Sequence, residues 1–417
     1  MLKLSLSIVF SLFIFHNLNA QLAKVDSTEM VTIRIDPESS RGAKVSEIFS
    51  EVKFIPLETT KESLFGSIDH LELTKNCFVV YDHDTKAVLI FNNKDGKFKA
   101  KVNSSKLNES DEKDKQAFYG FKLIKANETE LIRIASGKQY YLFDLDGKLT
   151  KKYPIETKDS KENHFKFADS ITTIAPFHVS RNGKDSTFHE IAILNNNKEI
   201  ALYFPLEFDR FKTDQYIGAG NPITDSQLKN ELFYIRYYDY NIYRIKPKAL
   251  SLAYRIIFPA NNSVPKDFLT NPDYKNKRVE YFQKNPTQIF GISNPYLIGN
   301  NLYIKANNWG WNLDAKTALI HNLQTGALTS IKNLEADSLS QFLPVTDGGS
   351  FTDFYNHGFH LYEDDYLYTS YSSLAMFSYK DLNAAKNIKY DPLLSKYFET
   401  QNKKSNPVII QLKPKRN

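Results

Sequence analysis

Cysteine is nearly missing from this chain: Cys77 is the only one in 417 residues. One thiol cannot close an internal disulfide, so no covalent staple supports the fold in any redox compartment. Cys77 lies in the apolar run Cys77-Phe78-Val79-Val80-Tyr81, where a buried, inert thiol is expected rather than a nucleophile. The nucleophile elbow G-x-S-x-G, the dinucleotide fingerprint G-x-G-x-x-G and the P-loop are absent too, which removes the usual sequence grounds for those chemistries. Gly218-Ala219-Gly220-Asn221-Pro222 reads as a turn rather than a phosphate cradle. The nine histidines show no metal-ligand spacing, and His357 and His360 flank Gly358 outside any helical context. Charge of one sign is also scarce. The net charge is +6, and Lys413, Lys415 and Arg416 form the one dense basic group, so no nucleic-acid partner is expected.

After the first twenty residues no apolar run is long enough to span a bilayer, which takes about 20 residues. The N-terminus itself reads differently. Lys3 precedes the apolar run Leu4 to Phe15, and Asn17-Leu18-Asn19-Ala20 ends it with a small residue. That order is a secretory signal peptide, residues 1–20, with a buried first element as the competing account. No cysteine lies near Ala20, so a periplasmic or secreted protein is expected rather than a lipoprotein.

What the chain has is aromatic strand formers, 25 Tyr and 30 Phe. Apolar strands alternate with turns throughout. Val88 to Phe91 runs into Asp95-Gly96 and then Phe98 to Val102; Tyr140 to Phe143 runs into Asp146-Gly147 and then Leu149 to Tyr153; Ala318 to Asn322 runs into Thr325-Gly326 and then Leu328 to Ile331. A glycine after a polar residue between two apolar runs marks a hairpin, because glycine takes positive φ without a Cβ clash. Gly96 and Gly147 stand about 50 residues apart, and Gly326 follows after room for three or four more such units. Weaker units cover Phe167 to Phe204, Tyr216 to Phe258 and Phe342 to about Lys380. The expectation is an all-β, six-bladed β-propeller of four-stranded antiparallel blades over residues 51–410. Residues 21–50 would form an N-terminal segment and 411–417 a basic tail. Either Val31 to Ile35 or Val52 to Leu57 would close the ring. Asn103 to Lys115 reads as a loop, and Ala260 to Asn285 as an insertion with a short helix near Lys277 to Phe282.

Val52-Lys53-Phe54-Ile55-Pro56-Leu57-Glu58-Thr59, Leu64-Phe65-Gly66-Ser67-Ile68, Phe78 to Asp82, and Asp95-Gly96-Lys97-Phe98 resemble the opening of exported six-bladed β-propellers of Bacteroidetes, related in fold to NHL and TolB-like propellers. The resemblance is clear over residues 51–102 and continues as blade rhythm. It implies export and a propeller, and no assigned activity. A Gly-rich loop usual after the first blade is replaced here by the glycine-free Asn103 to Tyr119.

Two sets of residues are candidates for function. Polar residues on innermost strands would line the channel. Ser67 to Glu72, Tyr119 to Ile124, Ile171 to His178, Glu231 to Arg236, Gln288 to Asn294 and Ser350 to His357 are read as those strands, offering Asp69, His70, His178, Asp353 and His357. Calcium is the metal such oxygens could hold if several converged; a channel-centred, metal-dependent hydrolase or lyase is one function. The second set is aromatic: Arg236, Tyr237 and Tyr238 in the tyrosine-rich run Phe233 to Tyr240, and Asn308, Trp309, Trp311 and Asn312 in one turn. Flat rings beside amides suit sugars, and packing between blades is the competing account. The reading placed first is a monomeric binding or interaction module for a carbohydrate or peptide. A propeller that docks only a protein partner is the third.

Overall fold

The computed structural model describes residues 22–103, 106–107, 118–126, 129–155, 165–167, 171–182, 185–207, 213–217, 222–310, 316–346 and 358–416. Six antiparallel four-stranded sheets form a ring, the expected six-bladed β-propeller. Blade 1 spans His70–Leu73 to Phe98–Asn103, and blade 2 spans Lys122–Ala126 to Leu149–Pro154. Blade 3 runs from Phe165–Lys166 to Lys198–Leu206, blade 4 from Ile223–Asp225 to Ala249–Ile257, and blade 5 from Ile289–Ile298 to Leu328–Glu335. Blade 6 combines Leu361–Glu363 and Tyr366–Tyr371 with the C-terminal strand Val408–Pro414 and the N-terminal strand Phe49–Pro56. Closure therefore uses the Val52 to Leu57 region, and Val408–Pro414 takes Gln411 to Pro414 into the sheet rather than into a free tail. Alternation of apolar residues is what lets both faces of a blade be covered. Val88 and Ile90 pack toward blade 2, while Leu89 and Phe91 pack toward blade 6.

Val31–Arg34 has another role. The N-terminal segment runs around the rim as a belt. Leu22 bridges Leu202 of blade 3, Asp26 bridges Ser251 of blade 4, and Val31–Arg34 pairs in parallel with Tyr254 to Ile257. Arg41–Lys44 then pairs in parallel with the outer strand of blade 5, and Phe49–Pro56 completes blade 6. Gly42 makes this approach possible, since a Cβ there would lie 2.5 Å from the Asn333 carbonyl oxygen. Ile33, Ile35, Val45 and Phe49 are buried by the belt. Unpaired outer strands invite pairing with other chains, and charge on them prevents it. The outer strands of blades 1 and 2, which the belt does not reach, carry Lys99, Lys101, Lys151 and Lys152.

Antiparallel order fixes which connections share a face. First-to-second and third-to-fourth strand turns lie at one end of every blade; second-to-third turns and blade-to-blade connections lie at the other. The first face has short turns, including those at Gly96, Gly147 and Gly326, all with positive φ. The second face carries every long element. These include residues 258–288 with the helix Arg278–Lys284, and residues 372–407 with the helices Ser373–Leu382 and Pro392–Thr400. Ser372 and Asp391 cap those last two helices, accepting from the Ala375 and Leu394 N–H groups.

Candidate functional site

Three of the innermost strands differ from expectation: in blade 6 it is Leu361–Glu363 rather than Ser350 to His357, and the other two are in blades 3 and 4. Phe165–Lys166 and Ile223–Asp225 hold those positions, so Ile171 to His178 and Glu231 to Arg236 belong mainly to second strands. His178 therefore does not face the channel from an innermost strand; its Nε2 is 2.6 Å from Glu199 Oε1, and Ser180 Oγ donates to Glu199 at 2.7 Å. His70 does lie on the innermost strand of blade 1, stacked 4.7 Å from Phe121 and 3.3 Å from Glu72. Asp69 is occupied in a turn, accepting from the His83 N–H at 2.7 Å and from Ser67 Oγ. Asp353 and His357 lie outside the described residues, as do most of Asn103 to Tyr119, the leader 1–20, Trp311 and Asn312. Among the described residues no three His, Cys, Asp or Glu side chains gather as a metal site.

The aromatic set comes together on the face with the long connections. Arg236 leaves the second strand of blade 4 and crosses to blade 3. Its Nε and Nη2 donate to the two oxygens of Glu190, both at 2.7 Å, in a planar fork. Tyr234 Oη also donates to Glu190, at 2.8 Å, and the Phe204 ring lies 4.0 Å beneath the guanidinium. Burial alone would disfavour the Arg236 charge, but Glu190 outweighs it and holds the guanidinium firmly protonated.

Tyr238 is strained, a bulky residue at φ 54°. It is held there because its hydroxyl donates to the Gln215 carbonyl at 2.7 Å and accepts from the Ile217 N–H at 2.9 Å. Its ring packs on Phe268 and Phe282, and burial pushes the phenol up to about 12. Beneath it the Arg278 and Asp214 side chains form an ion pair at 2.7 Å that is fully covered. This pair pins the 258–288 insertion onto the connection between blades 3 and 4. Trp309 is half-buried against the same aromatic cluster, with Phe290 and Tyr238. Gly310 beside it donates to the Pro286 carbonyl at 2.9 Å, which ties this end of the second strand of blade 5 to the insertion. Asn308 ends the second strand of blade 5.

The loop Arg236 to Tyr240 thus separates two cavities. The smaller, about 220 Å³, lies between blades 3 and 4. Its walls are Tyr216, Tyr237, Phe177, Glu190, Glu207, Arg236 and the Leu269-Thr270 edge of the insertion. Tyr216 and Tyr237 meet edge to face at 5.3 Å. Phe177 and Phe204 also have positive φ, at 50° and 56°. Of these strained aromatic residues Phe177 lines the smaller cavity itself, Phe204 lies under its Arg236, and Tyr238 lines the larger one; such outliers collect at ligand sites. The larger cavity, about 720 Å³, opens on the far side of the loop. Sequence reasoning found Arg236, Tyr237 and Tyr238 from aromatic density. It missed Glu190, Glu207 and Tyr216, which carry no local motif and meet only through blade packing.

A family model described as "Domain of unknown function (DUF4934)" matches residues 30–413. The chain belongs to the DUF4934 family. No curated protein is similar to it. Among solved structures, an inferred exported protein from Bacteroides fragilis NCTC 9343 is 14% identical with a TM-score of 0.61, covering 93% of this chain and 99% of that one. This likeness extends the propeller fold across the whole DUF4934 match. A luciferin-regenerating enzyme aligns at 8% identity and TM-score 0.34, over 87% of this chain and 95% of its own. A Bacteroides caccae protein of unknown function aligns at 9% identity and TM-score 0.26, over 61% and 78%. Among the described residues of this family member, no helix is long and apolar enough to cross a membrane.

Proposed function

We propose that this chain is an exported binding propeller whose ligand is a carbohydrate, held in the cavity between blades 3 and 4. The observation that carries the reading is the lining of that cavity: two tyrosine rings set edge to face beside Glu190, Glu207, Arg236 and Thr270. Ring faces stack on the CH-rich side of a sugar, carboxylates accept from its hydroxyls, and a threonine hydroxyl and a guanidinium can donate to them. The volume of about 220 Å³ is below the roughly 300–1,000 Å³ of sites that enclose drug-sized ligands, so it suits one sugar unit of a longer glycan. The Glu190–Arg236 fork supplies rigidity to the floor, which reduces the ordering cost of binding.

Export is supported by the Lys3, Leu4 to Phe15 and Ala20 pattern. The structural likeness to an exported Bacteroides fragilis protein agrees with it. The test is glycan affinity in variants. Tyr237→Ala is expected to weaken binding of a glycan by at least tenfold, and Glu207→Gln by a few-fold. Unchanged affinity in both variants would remove the site. Binding of extended peptides in place of glycans would keep the site and overturn the ligand class.

A further inference from the structure

The larger cavity, of about 720 Å³, is separate from the proposed glycan site and falls within the size range of ligand sites. It runs between the end of the outer strand of blade 4 and the start of the insertion. Its floor is apolar: Ile256 and Phe258 from the strand, Val264 and Pro265 from the insertion, and the ring of Tyr240. Tyr240 is fixed, because its hydroxyl donates to the Ile289 carbonyl at 2.6 Å and accepts from the Val264 N–H at 2.9 Å. The floor is therefore preformed.

The charges in the lining are unequal in availability. Asp239 faces inward, accepting from the Asn241 N–H at 3.0 Å and from Tyr243 Oη at 2.8 Å, and lies 3.8 Å from Arg236. Arg255, from the outer strand of blade 4, and Lys266, from the insertion, both line the cleft and are both exposed. Among the described residues neither takes part in an ion pair, unlike Arg236, Arg244 and Arg278 nearby. An apolar trough with two available cations matches a molecule with an apolar body and an anionic head.

We propose that this cleft binds an amphiphilic organic anion, a medium-chain carboxylate being the simplest case, with the chain on Ile256, Phe258 and Val264 and the carboxylate between Arg255 and Lys266. The experiment is calorimetric titration of the full chain with octanoate, below its micelle concentration, against 1-octanol. Octanoate is expected to bind at one site at least tenfold more tightly than 1-octanol. Arg255→Met with Lys266→Met should abolish that preference, and the exposed position of both side chains keeps the fold intact. Val264→Trp, which fills the trough, should weaken both ligands. Equal affinity for the two ligands, an unchanged preference in the double variant, or no octanoate binding would each overturn the proposal.

Discussion

Asn406 Oδ1 accepts a hydrogen bond at 3.1 Å from the backbone N–H of Phe65, a residue 341 positions away. The Asn406 side-chain amide also donates to the carbonyls of Glu58 and Ser63, at 2.8 and 2.9 Å, and its own N–H donates to Thr59 Oγ1 at 3.0 Å. Asn406 is fully buried. One side chain thus joins the C-terminal strand to the stretch that leads into blade 1, and closes the ring where its two ends meet. The Pro56-Leu57-Glu58-Thr59 motif is explained by this lock and by Glu58, which accepts from the Phe98 N–H at 2.8 Å.

Removing the amide strands buried partners. Asn406→Ala leaves the Ser63 carbonyl and the Phe65 N–H unsatisfied, each costing about 1–3 kcal/mol less whatever water recovers, while the Glu58 carbonyl keeps its bond from Ser63 Oγ. The expected loss is about 3 kcal/mol in denaturant unfolding, and a loss under about 1 kcal/mol would show that closure does not depend on this residue.

Two glycines with the same positive φ make a paired test. Gly96 has φ 69°, and a Cβ there would lie 2.0 Å from the Pro56 carbonyl oxygen; Gly326 has φ 72° and open space around it. Gly326→Ala pays only the left-handed backbone cost of about 1–2 kcal/mol. Gly96→Ala must also push the closing strand away, and is expected to be the more destabilising by at least about 2 kcal/mol. Equal melting temperatures for the two variants would contradict the packing of the blade 1 turn on the closing strand.

Lys305 gives a pH signature. It is buried in blade 5, and burial lowers its amine from 10.5 to about 8. Below pH 8 both folded and unfolded chains carry the proton, and the folded state bears the net cost of burying that charge. Between pH 8 and 10.5 the unfolded chain binds more protons, so stability rises with pH, by about 3 kcal/mol in all. Lys305→Met should therefore be more stable than the parent at pH 7 by up to about 3 kcal/mol, with the difference shrinking as pH rises through that window. A constant difference across pH would exclude the effect.

The belt predicts the effect of truncation. A chain starting at residue 37 loses Ile33 and Ile35, each worth about 1.5–3 kcal/mol of burial, and uncovers the apolar outer strand Ala249–Ile257. Lower melting and concentration-dependent self-association in sedimentation are expected. A monomeric chain with parent stability would show that the rim needs no cover.

The blades were legible because each turn glycine sits between alternating apolar runs that must be buried on both sides, as at Val88 to Phe91. Phe165–Lys166 and Ile223–Asp225 were not, since two or three residues carry no periodicity, and their absence from the reading moved His178 to the wrong strand. Val31–Arg34 was recognised as a strand, but parallel pairing with blade 4 depends on a contact across more than 200 residues that no local pattern encodes. The same limit hid the site. Arg236, Tyr237 and Tyr238 stand together in the sequence, whereas Glu190 and Tyr216 reach them only when blades 3 and 4 pack. Trp309 has polar neighbours in sequence, yet its ring packs against the aromatic cluster of the insertion, and Gly310 beside it bonds to Pro286.

A thermal-shift screen of residues 21–417 against oligosaccharides, peptides and divalent metals tests the central claim most directly. A glycan at 100 times its Kd stabilises the fold by about 2.7 kcal/mol, a melting shift easily seen. A carbohydrate site between blades 3 and 4 gives such a shift with a glycan and loses it in Tyr237→Ala. A shift with metal alone, or silence across the glycan arm, would contradict it.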